Sequence, residues 1–130
     1  MTIYISHSRN FDFQKELYEV LQNSSLAQKY ELILPHRDSQ DPFLASAKDF
    51  NKDRFNLVLA EISYPSTGRG IELSWANINN IPIVCIYKKG QKYTGAINSV
   101  SKTILEYSDL ADILGEIEQM IAKIDGTQMA

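Results

Sequence analysis

The stretch FNLVLAEISYPSTGRGIELSWANI, residues 55–78, carries the pattern that decides the fold. From Phe55 to Ile62 it is a near-continuous apolar run of strand length, the pattern of a strand buried on both faces. Pro65, Gly68 and Gly70 then mark a tight loop, and a helical segment is expected from about Gly70 to Ile78. A buried strand, a short loop and a helix in that order form half of a βαβ unit.

Working outward, the same alternation recurs. Ile3-Tyr4-Ile5 is a short apolar run that stops at SHSRN, and Phe13, Leu17, Val20 and Leu21 follow at helical spacing with Asn10 as the expected cap. YELILP is a second strand closed by Pro35, and PFLASAKDFNKD, from Pro42 to Asp53, is weakly helical. IPIVCIY and KTILEY supply two further strands, and Leu110, Ile113, Leu114, Ile117, Ile121 and Ile124 mark one face of a terminal helix. The expectation is a single-domain α/β fold over residues 1–125, with 126–130 a flexible tail after the turn signal at Gly126. Its architecture would be a doubly wound, flavodoxin/Rossmann-like parallel sheet of five strands, order 2-1-3-4-5, with helices on both faces.

In such a sheet ligands bind beyond the carboxyl ends of the strands, where strand order reverses between the first and third. That rule gathers Ser6-His7-Ser8-Arg9-Asn10, His36-Arg37-Asp38 and Glu61 through Glu72 at one crevice.

Composition narrows the function. A chain of 130 residues with 44% hydrophobic residues suffices for one compact domain. A net charge of −3 with no Lys/Arg cluster argues against nucleic acid as a partner. No apolar stretch is long enough to span a bilayer, so no membrane partner is expected and the cytoplasm is the expected location. Cys85, inside an apolar run, reads as a buried small hydrophobe. Two histidines without a third ligand at metal spacing exclude a metal site from the expectation, and no cofactor motif is present.

Within the loop, Ser66, Thr67 and the N–H groups entering the helix suit a phosphate or a hydroxyl, and the glycines allow close backbone approach. Glu72 reads in two ways. A first-turn acid complements the helix dipole. An ionised carboxylate facing an anomeric carbon can also attack it or stabilise an oxocarbenium-like transition state.

AEISYPSTGRGIELSWA, residues 60–76, resembles the core motif of the nucleoside 2-deoxyribosyltransferase family, and most closely its branch of deoxynucleoside 5′-monophosphate N-glycosidases. Ala60, Glu61, Pro65, Ser66, Gly68, Gly70, Glu72, Leu73 and Ala76 stand at the spacing of that pattern. The resemblance implies a glutamate nucleophile at Glu72 and a sugar-phosphate contact at Ser66, with Glu61, Gly68 and Gly70 as further substrate-site positions. It places Tyr4 near the substrate and Ser6 and Ser8 near the phosphate; Arg9 stands near the arginine expected in the family's first loop, as a further substrate-site position, and His36 ends the second strand at the same crevice. Asp49, with Asp53 as the alternative, matches the acid that handles the leaving base. The first loop departs from the family in having no glycine, and Ser74 and Trp75 follow Leu73 where Gly is usual.

The implied function is cleavage of the N-glycosidic bond of nucleosides or their 5′-monophosphates, by hydrolysis or base transfer. The implied assembly is a homodimer or larger homo-oligomer with shared sites, to which Thr94, Asn98 or Ser99 would contribute. Two alternatives stand beside it. IYISHSRNFDFQKELYEVL also resembles the start of TIR-like domains, some of which cleave NAD with a glutamate. The third is a nucleotide-binding module without activity on the same fold.

Overall fold

The computed structural model describes residues 1–37 and 44–129. Five strands form one parallel sheet: β1 (Thr2–His7), β2 (Glu31–Ile33), β3 (Leu57–Glu61), β4 (Ile83–Lys88) and β5 (Thr103–Tyr107), in the order β2-β1-β3-β4-β5. This is the expected doubly wound topology. Between β1 and β2 lie a π-helical segment, Gln14–Glu19, the short α1 (Val20–Gln22) and α2 (Ser25–Lys29). α3 (Thr67–Ile78) joins β3 to β4, and α4 (Leu110–Met129) follows β5.

Side chains alternate across a strand, so one sheet feeds two cores. Ile3, Ile5, Leu57, Leu59, Val84 and Ile86 face the side covered by Leu17, Leu21 and the Ile113, Ile117 and Ile121 stripe of α4. Tyr4, Val58, Ala60, Ile83 and Cys85 face the other side, under Leu73 and Ala76 of α3 and the Phe50–Phe55 pair. All five residues of β3 are buried, which is why its sequence shows no polar alternation.

Several boundaries move. The first helical turn starts around Phe13, and the Asn10 N–H instead donates to Ser8 Oγ at 3.0 Å within a loop. α3 begins at Thr67 because Ser66, in extended backbone, caps it by accepting the Arg69 N–H on Oγ at 3.1 Å. The weakly helical pattern before β3 leaves only a 3₁₀ turn, Ala47–Asp49; Pro42 and Phe43 lie outside the described residues. α4 continues through Gly126 to Met129, since one glycine costs a helix about 1 kcal/mol and does not end it.

In the β1–β3 register Ser6 pairs with Ala60 and His7 with Glu61. The loops that leave these two strands therefore emerge side by side at the carboxyl edge of the sheet.

Candidate active site

Tyr4 and Ser6 are two apart on β1, so both point to the face covered by α3. On α3, residues 69, 72, 73 and 76 share one face at helical spacing; Arg69, Leu73 and Ala76 are buried and Glu72 is half-buried at the cleft. The strand and the helix meet at the Glu72 carboxylate. Tyr4 O–H donates to Oε2 at 2.5 Å and Ser6 O–H donates to Oε1 at 2.8 Å. Burial pushes the Glu72 pKa above the usual carboxylate value, and the two hydroxyl donors pull against it. The tyrosine titrates far above its ordinary range because of its own burial and the neighbouring Glu72 charge, so it remains a donor.

This corrects the dipole reading of Glu72. With the helix starting at Thr67, Glu72 lies in the second turn, beyond the unpaired N–H groups. Two side-chain hydroxyls from β1 hold the carboxylate in place.

Glu72 and Tyr4 open onto a cleft of about 590 Å³. One wall is the β1 loop with His7, Ser8, Arg9 and Asn10; His36, Leu44 and Ala45 form another; Pro65, Ser66, Thr67, Gly68 and Arg69 close it. Thr67 and Gly68 occupy the first two helical positions, where N–H groups lack an intrahelical acceptor. A Cβ added at Gly68 would meet no atom within 4 Å, and its φ is not positive. The fold itself does not require glycine there; the bare Cα borders only the cleft.

His7 follows the opposite face of β1, among aromatic rings. Its Nδ1 lies 2.7 Å from the Ser8 carbonyl, which can only accept, so Nδ1 carries the proton. Nε2 then accepts from Tyr18 O–H at 2.6 Å, and the Tyr18 oxygen accepts the His36 N–H at 3.1 Å. Burial lowers the His7 pKa to about 4, so the imidazole is neutral near pH 7. His36 is lowered too, chiefly by burial and then by the Arg9 charge. The π-helical turn brings Tyr18 between the two histidines, and Phe13 packs on His7 at 4.7 Å. Tyr18 carries no motif signal in the sequence, and its partners His7 and His36 lie 11 and 18 residues away in the chain.

Of the expected site residues, Tyr4, Ser8, Arg9, His36, Ser66, Gly68 and Glu72 border the cleft, and Ser6 reaches it through Glu72. Glu61 does not. It is 1% exposed, and it accepts Ser63 N–H at 2.6 Å, Ser63 O–H at 2.9 Å and the Tyr107 hydroxyl. Gly70 lines a second cavity of about 310 Å³ on the far side of Ser66 and Arg69, together with Thr94 and Ser99. Asp49 lies off the cleft wall: its carboxylate accepts the Ser46 N–H at 2.8 Å in a capping box and pairs with Arg54 at 2.7 Å. Its charge is nevertheless felt at Tyr4. Asp53 is exposed, and its N–H donates to Asn51. Asp38 lies outside the described residues. Arg69, inside the loop sequence, is buried rather than solvated: it is 5% exposed, and Nη1 donates to the carbonyls of Tyr64 at 2.5 Å and Glu61 at 3.3 Å.

Among the described residues no three His, Cys, Asp or Glu side chains form a metal-binding group, and no helix is long and apolar enough to cross a membrane.

The sequence matches no protein-family model and no curated protein. The fold has a solved counterpart in the Clostridium botulinum CMP N-glycosidase BcmB. The two superpose with a TM-score of 0.63 over 91% of this chain and 99% of that one, at 15% identity. At that identity the likeness is one of fold.

Proposed function

We propose that the protein cleaves the N-glycosidic bond of nucleosides or their 5′-monophosphates, with Glu72 as nucleophile. The observation that carries this reading is the Glu72 carboxylate, fixed by Tyr4 and Ser6 and half-buried on the wall of a cleft beside an α-helix N-terminus. It is supported by the motif resemblance and by sharing a fold with an enzyme that cleaves CMP.

One Glu72 oxygen bonds to C1′ as the C1′–N bond breaks, and the electron pair leaves with the base, which takes up a proton. Water then attacks C1′ of the glycosyl ester, releasing the sugar and restoring the carboxylate; a second base in place of water gives transfer. Tyr4 and Ser6 orient the attacking oxygen and release it as negative charge leaves Glu72. Asp49 serves as the acid for the leaving base only by giving up Ser46 or Arg54. Thr94 and Ser99, away from the cleft of their own chain, are the residues this proposal offers to a neighbouring copy.

The test is chromatography of free base released from a panel of nucleosides, their monophosphates and NAD, run beside Glu72→Ala. Release by the wild type alone supports the reading, and release of nicotinamide alone supports the NAD-cleaving alternative. Equal release by both proteins, or none by either, overturns it.

A further inference from the structure

Arg69 is a buried cation that the proposed chemistry does not use. It is 5% exposed, and its Nε is a buried nitrogen without a hydrogen-bond partner among the described residues. Nη1 is held by two carbonyl oxygens, those of Glu61 and Tyr64, which carry no formal charge. No carboxylate forms an ion pair with it among the described residues. The Glu61 carboxylate acts on it at longer range and is itself occupied by Ser63 and Tyr107. Burial lowers the guanidinium pKa, and the Glu61 charge pulls against that shift.

A buried cation that makes no ion pair is costly to keep, and an anion bound nearby would offset part of that cost. Arg69 borders the cleft at the point where Ser66, Thr67 and Gly68 present a helix N-terminus. The positive end of the helix and the guanidinium then act on the same volume. We infer that Arg69 is a specificity determinant: its buried charge makes the Ser66–Gly68 end of the cleft select a ligand bearing a phosphate monoester over the uncharged analogue. This rests on the reading of the cleft as a nucleotide site, and it adds the group that discriminates monophosphate from nucleoside. Arg69 acts by charge from behind the loop, so it is a positioning residue rather than a catalytic one.

Bracing the loop is the competing role, and two substitutions separate them. Arg69→Lys keeps the charge and loses the planar fork; Arg69→Gln keeps an N–H donor for the carbonyls and loses the charge. Calorimetric titration with ribose 5-phosphate and with ribose reads the sugar-phosphate end alone, without requiring turnover. A unit charge acting on a phosphate through a partly exposed site is worth enough to move affinity about tenfold. The expected result is that Arg69→Gln loses about tenfold in affinity for ribose 5-phosphate, Arg69→Lys much less, and neither changes its response to ribose. In the unmodified protein the Arg69 Nε–H resonance, identified by its loss in either variant, should shift on addition of ribose 5-phosphate but not ribose. Equal losses in both variants, or a wild type that does not bind ribose 5-phosphate, would overturn the inference, and so would an unmoved Nε–H signal. Base release from unphosphorylated nucleosides, measured beside Glu72→Ala, judges the glycosidase reading independently.

Discussion

Glu61 closes β3, and Glu72 sits in the second turn of α3, at the other end of the same loop. Glu61 is buried and Glu72 half-buried, and both accept hydroxyl donors. Glu61 is enclosed by Ser63, which gives it a backbone N–H and a hydroxyl, and by Tyr107 from the neighbouring end of β5. Ser63 in turn accepts the Lys88 N–H at 2.7 Å, so the carboxylate ties the ends of three strands together. Glu72 receives one donor on each oxygen, both from β1, and its remaining lone pairs face the cleft. A carboxylate saturated by local donors serves the fold. One that is fixed but unsaturated, with its pKa raised by burial, remains available to react.

The sharpest way to break that comparison is to neutralise each in turn. Glu72→Gln should lower base release by at least about 10³-fold, the scale of removing a nucleophile. Its stability should move the other way. The folded-state pKa of Glu72 is raised, so ionising it costs the native state above the unfolded value, and the cost is fully present above the folded pKa. Glu72→Gln should therefore be more stable than wild type near pH 7, with the gain fading as pH falls through the raised folded-state pKa and gone below the unfolded value. Denaturant melts at two pH values read this, and a variant less stable at neutral pH would remove the claim that Glu72 is held at a cost.

Tyr4→Phe sharpens the same side. Losing the donor that orients the attacking oxygen should lower turnover roughly 10- to 100-fold. The acid limb of the pH–rate profile should move to higher pH, because a donor that lowers the Glu72 pKa is gone. An unmoved acid limb would mean that Tyr4 acts only by packing against Phe50 and Phe55.

Glu61→Gln tests the other side. The amide turns an N–H₂ toward donors that need an acceptor, and one donor left unsatisfied in the interior costs about 1–3 kcal/mol. The variant should melt lower with kcat of the remaining folded protein close to wild type. Full stability with lost activity would move Glu61 into the reacting set and erase the distinction.

How much of this contrast could be read from the sequence follows from where the partners lie. The strands and their order are legible because apolar runs such as LVLA report burial locally. Glu72 stood out through the pattern around it and the convergence rule for the sheet. The fate of Glu61 was not legible, because Tyr107 approaches it from another strand, 46 residues away in the chain. The burial of Arg69 was hidden for a related reason: a Gly-Arg-Gly setting reads as exposed, and only the fold tucks the side chain under Tyr64. The capping role of Asp49 was visible. Ser46 and Asp49 are spaced as a capping box, and that spacing signals a helix start rather than an acid poised over a leaving group.

The smallest effect concerns the loop that joins the two glutamates. Ser66 both caps α3 through Oγ and borders the cleft, and the two roles come apart by substitution. Ser66→Ala should cost about 1 kcal/mol of stability, whereas Ser66→Gly should cost only a few tenths, since glycine is tolerated at an N-cap. Both lose the same hydroxyl. If Ser66 also holds the ligand, the two variants should raise KM alike for a monophosphate while differing in melting temperature. A KM that tracks the melting temperature instead would make Ser66, like Glu61, a residue of the fold alone.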